Sequence, residues 1–197
     1  ELDELVRVPK EAGYVEGNNA YLPLGEYFTV GDMLSALLIS SANDAAVTLA
    51  IFHSESEEVF VDEMNMRAKA LGLNETRFAN VMGLDNDNQW STPQDLAWLY
   101  AFAVRHPQLK EKMSKRGTKI YSRSGISVDL VHTHALLHAD TPVIAGKTGT
   151  TDGAKQCLIS LVEHEGRQYI TVLLHSSQRY MDMRKILDVI EGTLNLS

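Results

Sequence analysis

The hydrophobic period of this chain changes once, near Gly117, and that switch limits the folds open to it. Before it, apolar residues recur at helical spacing: Val30, Met33, Leu34, Leu37 and Leu38 share one face behind Thr29, a good N-cap. The run stops at Ser40-Ser41-Ala42-Asn43, and a second helix is expected from Asp44 to about His53. A third is expected from about Ser56 to Leu71, with Phe60, Met64, Ala68 and Leu71 on one side and Gly72 as its stop. After the Asn-, Asp- and Gly-dense stretch Asn80–Asn88, Thr92-Pro93 with Asp95 reads as an N-cap, a first-turn proline and a first-turn acid, and that helix should end before His106-Pro107. Beyond Gly117 the period becomes two. Ile126, Val128 and Leu130 alternate with polar residues, while Cys157–Val162 and Tyr169–Leu174 are β-rich and flank a hairpin turn at His164-Glu165-Gly166-Arg167. A last helix, about Tyr180 to Glu191, places Met183, Ile186, Leu187 and Ile190 together. Helices segregated from an antiparallel sheet define an α+β fold, with a helical region at about 29–113, a mainly strand region at about 117–175 and no internal domain boundary across residues 1–197.

A chain of 197 residues buries enough surface to form a sizeable core without disulfides. Cys157 is the single cysteine, which excludes an intrachain disulfide and a thiolate zinc cluster. The formal charge of −8 argues against a nucleic-acid binder. One segment runs against that sign: Arg105, Lys110, Lys112, Lys115, Arg116, Lys119 and Arg123 face the lone acid Glu111, which reads as a solvated basic hairpin or as a local field for an anionic substrate. No stretch is long and apolar enough to span a membrane, and the first residues lack the basic and apolar regions of a secretory signal.

Two short stretches carry chemistry: Ser41-Ala42-Asn43 between helices and Lys147-Thr148-Gly149 at the entry to the strand region. A lysine ammonium, a threonine hydroxyl and a glycine backbone suit a terminal carboxylate and an extended peptide lying along a strand edge. Asn43 offers an amide that can hold a peptide group, and Ser41 can relay a proton if it lies beside Lys147. Either stretch alone is more simply an N-cap or a strand end. Together with Met33–Ala46, Gly72–Asp85, Ser91–Ala97 and Gly146–Leu158, in this order, they resemble the serine-type D-alanyl-D-alanine carboxypeptidases among the low-molecular-mass penicillin-binding proteins, from about residue 1 to about residue 190.

The resemblance implies a β-lactamase/transpeptidase-like fold and hydrolysis of peptidoglycan stem peptides ending in D-Ala-D-Ala through an acylated serine. Ser41, Asn43 and Lys147 would be catalytic, and Thr148, Gly149 and Thr150 would bind substrate. It also implies β-lactam binding, no cofactor, no metal, and an extracytoplasmic setting. The family's nucleophile is the serine of Ser-x-x-Lys, upstream of Ser-x-Asn, and no serine here has a lysine three residues on. Read against the family, the N-terminal part of the fold is expected to be missing. Met33, Leu37 and Leu38 are then left uncovered unless a complementing N-terminal fragment or a swapped copy covers them, and the chain alone is inactive. The rival readings are a catalytically dead relative that binds peptidoglycan or a partner protein, and a β-lactamase, which lacks here an acid placed to activate a deacylating water.

Four other features have structural readings. His132 and His134 share a strand face without a carboxylate at ligand spacing, Asp44 suits a helix N-terminus, and Cys157 sits in an apolar strand and is expected to be buried and inert. Glu191-Gly192-Thr193-Leu194-Asn195 imitates a class A β-lactamase element but follows Lys147, which marks it as coincidence.

Overall fold

A computed structural model describes residues 1–192, so Thr193, Leu194 and Asn195 lie outside the described residues. The element order is β1 (Leu5–Arg7), β2 (Tyr27–Thr29), α1 (Val30–Ile39), α2 (Asn43–Ser54), α3 (Glu57–Ala70), α4 (Pro93–Ala103), α5 (Pro107–Ser114), β3 (Gly117–Tyr121), β4 (Ser127–Val131), β5 (Val143–Thr151), β6 (Lys155–His164), β7 (Arg167–Ser176) and α6 (Arg179–Ile190). The α+β reading holds, but the strands form three separate antiparallel sheets: β1–β2, β3–β4 and β5–β6–β7.

Side-chain caps begin the helices as their residues dictate. Thr29 and Asp32 form a full capping box on α1, while Ser56 and Thr92 accept backbone N–H bonds at the starts of α3 and α4. Glu165 and Gly166 both take positive φ, 48° and 74°, as the tight β6–β7 turn requires. Two elements depart from expectation. The basic segment starts as helix α5 and only then becomes a hairpin, because Pro107 opens a turn whose Met113 is buried and Leu109 partly buried against the same cluster. The β1–β2 ribbon pairs only three residues on each side, too few to show a period.

The core divides into three clusters. One joins Val6, Phe28, Met33, Ile39 and Val47 to Ile120 and Leu130 of the β3–β4 hairpin. A second lies between the three-stranded sheet and α6, around Leu158, Val162, Met183 and Leu187. The third packs Tyr100 and Met113 on Ala145 and Leu161. Met33 was expected to be uncovered; it is instead fully buried by this chain's own first cluster, whereas Leu34, Leu37 and Leu38 of the same helix are half-buried.

Candidate active site

The α1–α2 junction presents Ser41 in an unusual conformation. Its φ is 59°, a left-handed backbone that costs a non-glycine residue about 1–3 kcal/mol unless its surroundings enforce it. Here they do. Ala42 N–H donates to Ala36 O at 3.2 Å, and the Asn18 side-chain amide donates to the carbonyls of Ser40 and Ser41. Asn43 opens α2; its backbone N–H donates to Asn18 O at 2.8 Å and its Nδ2 to Glu16 O at 2.7 Å. Gly17, at φ 83°, must lack a side chain, since a Cβ there would lie 2.8 Å from Asn43 Nδ2. Asp44 does more than face a helix terminus: nearly buried, it accepts from the N–H groups of Ala20 (3.1 Å), Leu22 (2.9 Å) and Ala45 (2.9 Å), pinning the incoming segment to α2.

Lys147, on β5, reaches across to this junction. Its Nζ donates to Ser41 Oγ at 2.5 Å and to Thr148 O at 2.8 Å. Burial, and then the positive charge of Arg179, push its amine down from 10.5 to about 8. The two stretches singled out in sequence therefore meet, 106 residues apart. Ser41, Asn43, Lys147, Gly149 and Thr150 line one groove of about 720 Å³, whose opposite side includes residues 80–83 and 85–87 together with Trp90. Thr148 does not line it: the Thr148 hydroxyl pairs with Thr133 Oγ1 at 2.6 Å.

Cys157 is corrected. It is half-buried rather than buried and borders the groove, because its β-partner is Gly149, which has no side chain to cover it. The two histidines are internal, as their structural reading implied. His134 Nε2 pairs with Ser160 Oγ at 2.8 Å, His132 Nδ1 accepts from His134 N–H at 3.0 Å, and burial lowers both imidazoles from 6.5 to about 4. Among the described residues, no group of three or more His, Cys, Asp or Glu could hold a metal ion, and no helix is long and apolar enough to cross a membrane. None of the seven basic residues of 105–123 lines the groove.

Sequence reading missed Arg179, at the start of α6. One of its guanidinium nitrogens donates to Gly149 O (2.9 Å) and Cys157 O (3.0 Å), and the other donates to Thr150 Oγ1. It also missed Tyr180, whose hydroxyl donates to Thr133 O at 3.1 Å and accepts from Ala135 N–H at 3.0 Å. Neither residue falls in a recognisable motif; only the fold brings α6 to the end of β5.

A serine hydroxyl held on a helix junction thus meets a half-buried lysine on the edge strand of an antiparallel sheet, and solved structures of the penicillin-binding and transpeptidase fold share the overall architecture. A Streptomyces DD-transpeptidase superposes with a TM-score of 0.88 at 28% identity, over 95% of this chain and 79% of that one. A D-alanyl-D-alanine carboxypeptidase from Mycobacterium tuberculosis H37Rv gives a TM-score of 0.88 at 26% identity, over 100% of this chain and 76% of that one. The family model described as D-alanyl-D-alanine carboxypeptidase matches residues 1–178, and the chain belongs to that family. Among curated relatives, the carboxypeptidases DacF of Bacillus subtilis and DacC of Escherichia coli are each 32% identical to it, over aligned stretches of 190 and 197 residues that cover 95% and 94% of this chain. The chain spans about half the length of these two relatives, 49% and 48%.

Proposed function

We propose that these residues form the larger part of the catalytic unit of a serine D-Ala-D-Ala carboxypeptidase acting on peptidoglycan stem peptides. The observation that carries the reading is the 2.5 Å contact between Lys147 Nζ and Ser41 Oγ in a groove lined by a strand edge. Lys147, with Arg179 behind it, supplies positive charge for the terminal carboxylate. The backbone of Gly149 and Thr150 offers an edge along which an extended peptide lies, and Asn43 faces its peptide groups. Thr148 acts through its carbonyl, which accepts from Lys147 Nζ at 2.8 Å, and not through its hydroxyl, which is paired with Thr133. A lysine near pH 8 exchanges a proton readily, so the Ser41–Lys147 pair suits delivery of a proton to the leaving amine.

The nucleophile comes from outside these 197 residues, since no serine here stands three before a lysine. That serine gives its hydroxyl proton to the lysine of its own Ser-x-x-Lys as its oxygen attacks the carbonyl carbon of the penultimate D-alanine. The C–N bond breaks as a proton passes through Ser41 to the amine of the last D-alanine, and water then hydrolyses the ester and restores the serine hydroxyl. A β-lactam, which joins a carboxylate to a strained cyclic amide, would enter by the same contacts. The reading calls for no cofactor and places the protein outside the cytoplasm, where its substrate is. The segment bearing the nucleophile packs over Leu37, which lines the groove, as a preceding stretch, a separate fragment or a swapped copy.

Calorimetric titration with a peptide ending in D-Ala-D-Ala, and with the same peptide as its terminal amide, tests the groove: the acid should bind and the amide should not. Equal binding of both removes the carboxylate subsite. Labelled penicillin should acylate the chain only when the Ser-x-x-Lys segment is present; labelling of the chain alone would place the nucleophile within it. The absence of Ser-x-x-Lys from these residues favours a second reading, a peptidoglycan-binding relative without turnover. D-alanine release by the product of the full reading frame would eliminate it.

A further inference from the structure

Asp85, the last residue of the Gly72–Asp85 stretch, lies in the groove wall opposite β5 and has no role in the chemistry described so far. It is delivered by a cross-linked loop. Asn80 Oδ1 accepts from the N–H groups of Met82 (3.1 Å), Gly83 (2.7 Å) and Leu84 (3.0 Å), and Asn80 Nδ2 and Gln89 Nε2 each donate to Leu84 O at 2.9 Å. From this loop the Asp85 carboxylate spans to the β5–β6 turn. Thr151 Oγ1 donates to Oδ1 at 2.5 Å and Gly153 N–H donates to Oδ2 at 2.7 Å. The turn is shaped to receive it: Ala154 N–H donates to Thr151 Oγ1 at 3.0 Å, and a Cβ on Gly153 would stand 2.9 Å from the carboxyl carbon. These bonds hold the Asp85 carboxyl below its usual range.

We propose that Asp85 is a positioning residue that clamps the two walls of the groove together and fixes the end of β5 on which substrate backbone lies. Thr151 is four residues beyond Lys147, about 13 Å along an extended strand, so the carboxylate stays clear of the reacting atoms. Its effect passes through Thr151 and Gly153 to the edge at Gly149 and Thr150. An unclamped turn would let that edge sample several separations from the loop, and an extended ligand would lose part of its binding to the cost of ordering it. The aspartate accepts two bonds on a charged carboxylate, from the Thr151 hydroxyl and from Gly153 N–H. An asparagine could keep Gly153 N–H only on its Oδ1 and would have to turn the Thr151 hydroxyl into an acceptor of its NH₂, so two charge-assisted bonds become two weaker neutral ones.

The proposal rests on the carboxypeptidase reading for what the groove holds, and two separate readouts keep the two ideas apart. Amide hydrogen exchange at Gly153 reads the clamp without any ligand. It should quicken by about tenfold or more in Asp85→Asn and Asp85→Ala and stay near wild type in Thr151→Ser, which keeps the hydroxyl. Calorimetry with a peptide ending in D-Ala-D-Ala reads the consequence: Kd should rise by about tenfold in both Asp85 variants, with an unchanged melting temperature, while Thr151→Ser keeps wild-type affinity. Asp85→Asn is nearly isosteric and exposed, so it remains informative if Asp85→Ala misfolds. Unchanged Gly153 exchange in the Asp85 variants overturns the clamp, and faster exchange with unaltered affinity overturns its positioning role. If the wild-type chain does not bind the peptide, the carboxypeptidase reading fails, while the exchange rates still decide whether the clamp exists.

Discussion

Lys147 is the residue on which the proposed chemistry turns, and its environment makes two outcomes calculable. Its ammonium is held against Ser41 Oγ, whereas Lys155, the first residue of β6, is exposed. Lys147→Ala should weaken binding of a D-Ala-D-Ala peptide by about 2–4 kcal/mol while Lys155→Ala changes little, as titration calorimetry would show; equal losses would take Lys147 out of the site. The pH dependence has a definite sign. With the folded amine lowered from 10.5 to about 8, peptide affinity should fall as pH rises through 8. Between 8 and 10.5 the unfolded chain binds more protons than the folded one, so the Lys147 contribution to unfolding free energy should grow with pH over that window. Urea titrations of wild type and Lys147→Met at pH 7.5 and pH 10, about half a unit outside or inside the window's ends, would read the difference. Ser41, Asn43 and Lys147 were legible because short polar motifs interrupt an otherwise periodic chain. Arg179 and Asp85 were not, since each acts on β5 from a distant element through contacts that no local spacing encodes.

At the scale of elements, β5 is pressed between the groove and a buried polar layer. Gly146 has no room for a side chain: a Cβ would meet His134 Cδ2 at 2.4 Å and Ile159 O at 2.5 Å, the latter being backbone that cannot swing aside. Gly146→Ala should therefore cost about 1–3 kcal/mol in denaturant unfolding and also loosen the Ser41–Lys147 contact next door. His132 and His134 beneath the strand have folded values near 4 against an ordinary 6.5. Below 6.5 the unfolded chain takes up more protons, so stability should fall as pH drops from 6.5 towards 4, and a His132→Gln/His134→Gln protein should lose stability less steeply over that range. Helix starts at Thr29, Ser56 and Thr92 were readable because their caps are local chemistry. Helix α5 was hidden by its charges, its buried face amounting to little more than Leu109 and Met113, and the β1–β2 ribbon is held by tertiary contacts of Val6 and Phe28 rather than by any period of its own.

For the whole molecule, the site exists only because two packing units meet. Ser41 sits on the α1–α2 junction beside Ala42 of the first cluster, and Lys147 on the three-stranded sheet, so the groove reports on how those units are held together. Helix α1 sits at that boundary with one face finished and one not. Met33 is completely enclosed by the first cluster, while Leu37 is half-buried and lines the groove. In the chain of 197 residues, Met33→Ala should cost about 2–5 kcal/mol and Leu37→Ala less than half as much, because a side chain still touching water has less burial to lose. If the nucleophile-bearing segment packs over the groove side of α1, adding it should raise the cost of Leu37→Ala to about that of Met33→Ala and leave Met33→Ala unchanged. The same equalisation in the chain alone, with an unfolding midpoint that rises with protein concentration, would instead show that a second copy covers this face. A Leu37→Ala cost identical with and without the segment would mean that the segment packs elsewhere, and the proposed source of the acylated serine would fall with it.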